Sequence, residues 1–460
     1  MSTTASAPKK PLAARFLEWM IEHKPDVLFG LIRNTRPNLV VPGAAGPVFV
    51  TRFRDVQEAL ERPDIFNVTY APMIDPSVGP FMLSRDNTSL NQRENGIMRS
   101  LIQREDLPRV RGMIARLTEE AVAPQLDRRQ IEVVNTVSRW VPMKLTGEYF
   151  GFPGPDMKSM LRWSRATQYD MFHNQDQNPD IHQDNIDAGH EMKAFLNTWI
   201  PARRAQLADH PERDDILSRL LKSTFPDAIE FDEDRIATNI MGTLIGGGET
   251  TSQAIVQILD QLFQRPTELA EATNAAKADD DALLYSYCWE ALRFNPVNPF
   301  VIRRCSKDYR IASGTLRGTT IKAGKIVLVS TRSAMRDGRE LPAAGSFATD
   351  RPSYHYMHLG YGTHTCLGDH VSRVQVPEIV KRIAMSRFSA CTRQASNCSR
   401  TASSNALTSS FSSSFTATGC QRTVSVSQNS KRATSPSATV TNKHPFAPDS
   451  LMWRPWVFPE

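Results

Sequence analysis

His358-Leu359-Gly360-Tyr361-Gly362-Thr363-His364-Thr365-Cys366-Leu367-Gly368 is the stretch on which the reading of this chain turns. One cysteine follows a loop with glycine at 360 and 362, precedes Gly368, and stands where the apolar pattern begins a helix that runs to about Ser386. That setting suits a thiolate that binds a metal. A helix dipole and free backbone N–H groups lower a thiol's pKa. The same amides can donate to a ligating sulfur and tune the metal's redox potential. Gly360, Gly362 and Gly368 let the backbone approach a flat macrocycle. Taken alone, the loop equally admits a buried cysteine in a glycine-rich turn. It also admits a nucleophilic cysteine beside His364, although a base two positions away has poor geometry.

Upstream, Gly246-Gly247-Gly248-Glu249-Thr250-Thr251 lies inside the longest helical pattern, which spans about 234–264 with Asp232 or Asp234 as N-cap. Glycines in mid-helix cost roughly 1 kcal/mol each relative to alanine, so something offsets them. Two accounts fit: close approach of a planar cofactor, or tight helix–helix packing. A threonine at a locally opened turn can accept or relay protons, and Glu249 can feed them in. Further along, Glu290-Ala-Leu-Arg293 sets two charges on one face of a helix predicted over 281–294. That pattern alone is common and serves many surface ion pairs.

Around these motifs the chain reads as mainly α with a small β portion, an α+β body. Further helices are expected over 55–60, 107–120, 130–150, 155–169 and 186–208. Short strands are expected at 48–51, 301–305, 309–311, 319–321 and 326–330. No internal repeat is visible. The 460 residues carry a net charge of +6, but residues 389–460 hold seven Lys/Arg against two Asp/Glu. The body before them is near neutral, which argues against nucleic-acid binding. Six cysteines in a chain this long do not make a disulfide scaffold. No apolar run has the length of a signal peptide or membrane span. The expectation is a soluble, cytoplasmic protein without a membrane anchor.

The ordered set G-G-x-E-T-T, E-x-x-R and G-x-G-x-H-x-C-x-G resembles the cytochrome P450 family over about residues 30–388. The resemblance implies a mainly helical haem fold with haem b, and its iron, between the long helix and the cysteine loop. Cys366 would be the axial thiolate. Glu249 and Thr250 match the family's acid–alcohol pair, which delivers protons to activated oxygen. Glu290 and Arg293 match its buried ion pair, with Arg351 of Phe347-Ala-Thr-Asp-Arg351 as third member. His364, Arg303 (with Arg304 as rival) and Arg99 match the groups that hold the haem propionates. Asn95 stands where His or Trp is usual, and Leu359 where Phe is usual.

The implied activity is a monooxygenase that inserts one atom of O2 into a hydrophobic organic substrate. Phe81, Met82, Leu83 and Phe300 are candidate pocket residues, and a ferredoxin or flavoprotein would supply electrons. Arg373, Lys381 and Arg382 offer a basic face to such a donor, or simply a solvated helix. A peroxygenase or fatty-acid hydroperoxide isomerase is the alternative of a second class, and an inactive haem-binding remnant is the third. The remnant reading arises from the tail. Residues 389–445 contain 24 Ser or Thr in 57 positions, a composition that cannot bury a core. The division expected is a haem domain over 1–388, a disordered segment over 389–446 and a short tail over 447–460. The segment reads as translation in another frame or a misplaced gene end, with a natural disordered extension as the alternative.

Overall fold

Asp232 starts the central helix by accepting a hydrogen bond from the Arg235 N–H at 2.9 Å. The helix covers Glu233–Gly247, and every residue from Ile236 to Ile245 is buried. It breaks at Gly248, whose backbone leaves the helical region (φ −80°, ψ −82°), and resumes as Glu249–Phe263. The expected single helix is therefore two. Among the described residues, the longest continuous helix is instead Pro179–Asp209, 31 residues. It begins earlier than the apolar pattern indicated because Asn178 caps it and Pro179 occupies its first turn.

The computed structural model describes residues 12–43, 46–128, 131–174, 177–398 and 423–424. A five-stranded sheet flanks the helices, in the order Asn38–Val40, Val48–Val50, Ile326–Val329, Val301–Cys305, Phe66–Asn67. Val48–Val50 pairs in parallel with Val327–Val329, and the other neighbours pair antiparallel. Tyr309–Ile311 and Thr319–Ile321 form a separate hairpin. Ile131–Glu132 pairs with Thr423–Val424. The strands expected from alternation and β-branched content appear within a residue or two. Phe66–Asn67 and Ile131–Glu132 are too short to carry such a signal, and Asn38–Val40 opens on a strand-poor asparagine.

The expected helix over 130–150 is broken into that two-residue strand, a π-helical turn at Val134–Ser138 and the helix Trp140–Glu148. The cysteine-proximal helix begins at Asp369, three residues after Cys366, and continues to Cys398, past the expected boundary at 388. Most of 389–446 and all of 447–460 lie outside the described residues.

One large apolar core joins the helices, from Ile74 and Phe81 through Met241 and Leu292 to Ile383. A second lies on the sheet and the Phe53–Leu60 helix, and a third packs Phe29, Phe49, Phe300 and Leu328 beneath the two N-terminal helices. Phe300 thus serves the sheet, away from the helical core that holds Phe81 and Met82. Among the described residues, no helix is long and apolar enough to cross a membrane.

Candidate active site at the cysteine turn

The cysteine turn is a chain of backbone hydrogen bonds. Gly360 N–H donates to Met357 O (3.2 Å), Thr365 N–H to Gly362 O (3.0 Å) and Cys366 N–H to Leu359 O (2.8 Å). Gly360 (φ +82°) and Gly362 (φ +69°) sit in the left-handed region. A Cβ on Gly360 would come 2.9 Å from His364 O, and one on Gly362 would come 2.8 Å from Leu60 O. These glycines are thus needed to close the turn and to seat it on the Phe53–Leu60 helix. Arg99, on the Ser89–Leu101 helix, donates to Thr365 O at 2.7 Å and to Cys366 O at 3.4 Å, and its Nε donates to Asn95 Oδ1. Asn95 therefore orients the arginine that grips the turn.

Burial pushes the Cys366 thiol up, opposing the Gly368 N–H and Arg99, which pull it down. The donors around the thiol predict lowering alone, but desolvation, which the sequence does not encode, outweighs them. A bound metal overrides that cost, because coordination deprotonates a thiol outright.

Gly246, Gly247 and Gly248 divide the two explanations between them. A Cβ on Gly248 would collide with Met143 Cε and Ser164 Oγ, which is tight helix packing. A Cβ on Gly246 or Gly247 meets no atom within 4 Å. The break also frees carbonyls. Ile245 O accepts from Gln168 Nε2 and Gly246 O from the Thr250 hydroxyl (2.5 Å), while Leu244 O keeps the Gly248 N–H (3.2 Å) and also faces Ser164 Oγ (3.5 Å). Glu249 is buried, and its Oε2 accepts from Arg139 Nε at 3.1 Å. Its Oε1 is buried and has no hydrogen-bond partner among the described residues. Arg139, Ser164 and Gln168 were not singled out in the sequence. The available signal was a polar residue inside an otherwise apolar helical face.

Glu290 and Arg293 are both fully buried. Arg293 donates to both carboxylate oxygens of Glu290, at 2.8 and 2.7 Å, and to Met335 O, Ala344 O and Ser346 O. Arg351 Nε reaches Glu290 Oε1 at 3.1 Å, beside the Ala348 N–H (3.0 Å), and the Tyr356 hydroxyl donates to Oε2 (3.1 Å). Glu290 is thereby saturated, and the pair ties residues 335–356 to the helix Asp281–Phe294. His358, just before the turn, binds Trp289 O through Nε2 at 2.9 Å, and burial drives its pKa down to about 3.

The donor set bears on what the site can hold. Among the described residues, no three His, Cys, Asp or Glu side chains gather as a metal site. A single thiolate at Cys366 can hold iron only if a macrocycle supplies most of the other ligands. Arg303 faces inward at 5% exposure, donates to Ile302 O at 2.8 Å, and has no carboxylate in ion-pair range among the described residues. Arg304 points outward and bonds Gly324 O. A buried guanidinium without a carboxylate fits a ligand that brings its own. His364 engages Asp86 at 3.3 Å. These features fit a flat, carboxylate-bearing iron macrocycle.

The cations of the cysteine-proximal helix are already matched. Arg373 pairs with Asp369, buried Lys381 with Asp279 (2.7 Å) and Asp281 (2.8 Å), and Arg382 with Glu378 and Glu119 (2.7 Å each).

Residues 155–402 match the family model described as Cytochrome P450. The chain is 26% identical over 359 residues to mycinamicin IV hydroxylase/epoxidase of Micromonospora griseorubida, covering 76% of this chain and 84% of that protein. It is 23% identical to the steroid C26-monooxygenase of Mycolicibacterium smegmatis, over 74% and 80% of the two chains. Its fold superposes on the crystal structure of CalO2 with a TM-score of 0.66 at 21% identity, covering 78% and 88%. It superposes on CYP109E1 from Bacillus megaterium in complex with testosterone with a TM-score of 0.64 at 22% identity, covering 77% and 89%.

Proposed function

This chain belongs to the cytochrome P450 family, and from that premise we propose that it is a haem-thiolate monooxygenase in which Cys366 supplies the iron's sulfur ligand. When bound, the haem supplies the oxygen-activating redox chemistry. The chain's own residues do the rest. Arg99 fixes the carbonyls of Thr365 and Cys366, so the turn carrying the thiolate keeps one shape. Arg303 offers a buried cation to a propionate, with His364 and Arg99 as further candidates at that edge. Glu290, Arg293 and Arg351 brace the segment that leads into the turn.

The observation that carries the reading is the broken helix at Gly248. There the Thr250 hydroxyl donates to the freed carbonyl of Gly246, and neighbouring Glu249 keeps one carboxylate oxygen without a hydrogen-bond partner among the described residues. An acid and an alcohol side by side at an opened turn can hold and pass protons, which oxygen reduction consumes. A peroxygenase or hydroperoxide isomerase has no need of that pair, and the relatives are named hydroxylase, epoxidase and monooxygenase. Phe81, packed against Gly242 of the same helix, and buried Met82 favour a hydrophobic substrate. Electrons would arrive from a ferredoxin or flavoprotein donor.

The test is spectroscopic first. The reduced protein under carbon monoxide is expected to give the strongly red-shifted Soret band of thiolate ligation. A band typical of histidine ligation, or no haem uptake, overturns the assignment. NADPH-dependent oxygen insertion with a donor system then separates a monooxygenase from an inactive haem binder, and turnover with hydroperoxide alone marks the peroxide class.

A further inference from the structure

Away from the cysteine turn, Arg33, Arg332 and Arg336 line a cavity of about 60 Å³ together with Asp26, Phe29 and Ser333. The cavity lies where the helix Pro25–Thr35 meets the short helix Thr331–Ala334. Asp26 is the one carboxylate in its lining among the described residues, bonded to Arg332 Nε at 2.8 Å and to Arg336 Nη2 at 3.3 Å. The remaining partners of the three arginines are neutral. Arg33 donates to Ser333 O and Oγ (3.0 Å each), Arg332 to Asn295 Oδ1 (2.9 Å) and Arg336 to Phe294 O (3.1 Å). Arg336 Nε is buried and has no hydrogen-bond partner among the described residues.

Among the described residues, the other nearby carboxylates are already engaged, although Asp337 still attracts Arg33. Asp337 is occupied by Arg339 and by the Phe53 N–H, and Glu290 by Arg293 and Arg351. Two more cations crowd the far side: Arg265 and Arg293 join Arg336 within 4.5 Å of the Phe294 ring centre. Burial, together with repulsion from Arg332, Arg293 and Arg265, pulls the Arg336 guanidinium down to about 10 despite the opposing attraction of Asp26.

We propose that this cavity is a second, non-catalytic site that binds a phosphate-class oxyanion and ties the Pro25–Thr35 helix to the Thr331–Ala334 turn. Three guanidiniums around one carboxylate leave a charge surplus, and planar guanidinium donors match a tetrahedral oxyanion's acceptors. The size agrees as well. One water needs about 10–15 Å³ of such space, so the cavity has room for roughly four or five atoms of that size, which is the head of an oxyanion and little more. A free ion and the phosphate terminus of a larger molecule present the same chemistry to it.

The full-length, haem-loaded protein is titrated with inorganic phosphate and, separately, with glycerol 1-phosphate, at constant pH and ionic strength in chloride. Thermal melting and ³¹P line width are recorded. A saturating rise in melting temperature is expected, weakened about tenfold in affinity in Arg33→Gln and unchanged in Arg36→Gln, an exposed arginine outside the cavity. The carbon monoxide spectrum reports whether each variant is folded. Response to inorganic phosphate alone assigns a free ion, while equal or tighter binding of glycerol 1-phosphate assigns a phosphorylated ligand. No saturable shift and no line broadening with either probe in the unmutated protein overturns the proposal, and so does an equal response in Arg33→Gln. The ³¹P measurement needs no variant, so a poorly folding Arg33→Gln does not rescue the idea.

Discussion

Arg139 holds one oxygen of Glu249 at 3.1 Å and leaves the other oxygen buried without a partner among the described residues. The pair joins the turn before Trp140 to the start of the helix Glu249–Phe263, where the central helix breaks. Arg139→Gln removes the charge that balances a buried carboxylate, at a cost of about 3–5 kcal/mol. Urea denaturation of the haem-loaded protein checks this. The double variant Arg139→Gln/Glu249→Gln is expected to recover most of the loss. A single variant as stable as the parent would mean that water balances Glu249.

Thr250→Ala deletes the hydroxyl that bonds Gly246 O. Losing one such hydrogen bond costs only about 0.5–1.5 kcal/mol, so haem content and the carbon monoxide spectrum should persist. Oxygen use should instead uncouple, with several-fold more hydrogen peroxide released per NADPH oxidised. Unchanged peroxide release would count against a proton-handling role for Thr250.

Cys366→Ala should abolish the thiolate-type Soret band. Leu359, Gly362 and Arg99 hold the turn through backbone atoms, so circular dichroism should report a fold close to the parent's.

Arg293→Ala leaves Glu290, fully buried, without its bidentate partner and frees three carbonyls at Met335, Ala344 and Ser346. The loss should be at least about 3–5 kcal/mol, seen as insoluble or haem-free protein. Arg351 makes one contact to Glu290 and otherwise bonds backbone carbonyls, so Arg351→Lys should be milder. A haem-loaded Arg293→Ala protein of normal stability would remove the pair from the account.

His358 is held neutral in the fold, with burial taking it from 6.5 to about 3. The unfolded chain therefore binds the extra proton between those values, and stability falls as pH drops below about 6.5. One such group contributes a slope of roughly 1.4 kcal/mol per pH unit, so about 2 kcal/mol should be lost by pH 5. Denaturation midpoints from pH 7.5 to 5 should show that slope flattened in His358→Gln. Equal slopes in the two proteins would assign the acid sensitivity to another group.

Much of the site was legible because three short motifs carry fixed spacing. Cys366 lies in a glycine turn, Glu249 and Thr250 follow three glycines, and Glu290 and Arg293 stand one helical turn apart. Strands such as Val301–Cys305 showed through β-branched content. Helix lengths were less visible, since caps decide them: Asn178 with Pro179 extends one helix beyond its apolar pattern. Gly248 splits another through packing on Met143 and Ser164, contacts remote in sequence. Arg139 was hidden for the same reason, because its partner lies on a different helix. Phe300 read as a pocket residue from hydrophobicity alone, yet just before the strand Val301–Cys305 it packs edge-on against Phe29, in one cluster with Phe49. The thiol's raised pKa depended on burial, which spacing does not encode.

Val48, Phe49 and Val50 are fully buried and lie in parallel against Val327, Leu328 and Val329. On a ribosome adding about 5–20 residues per second, this early apolar segment must wait roughly tens of seconds for its partner to be made. Throughout that interval it is a sticky ribbon in the nascent chain. Yield on overproduction should accordingly depend on chaperone supply and on slow, cool synthesis more than on the finished molecule's stability.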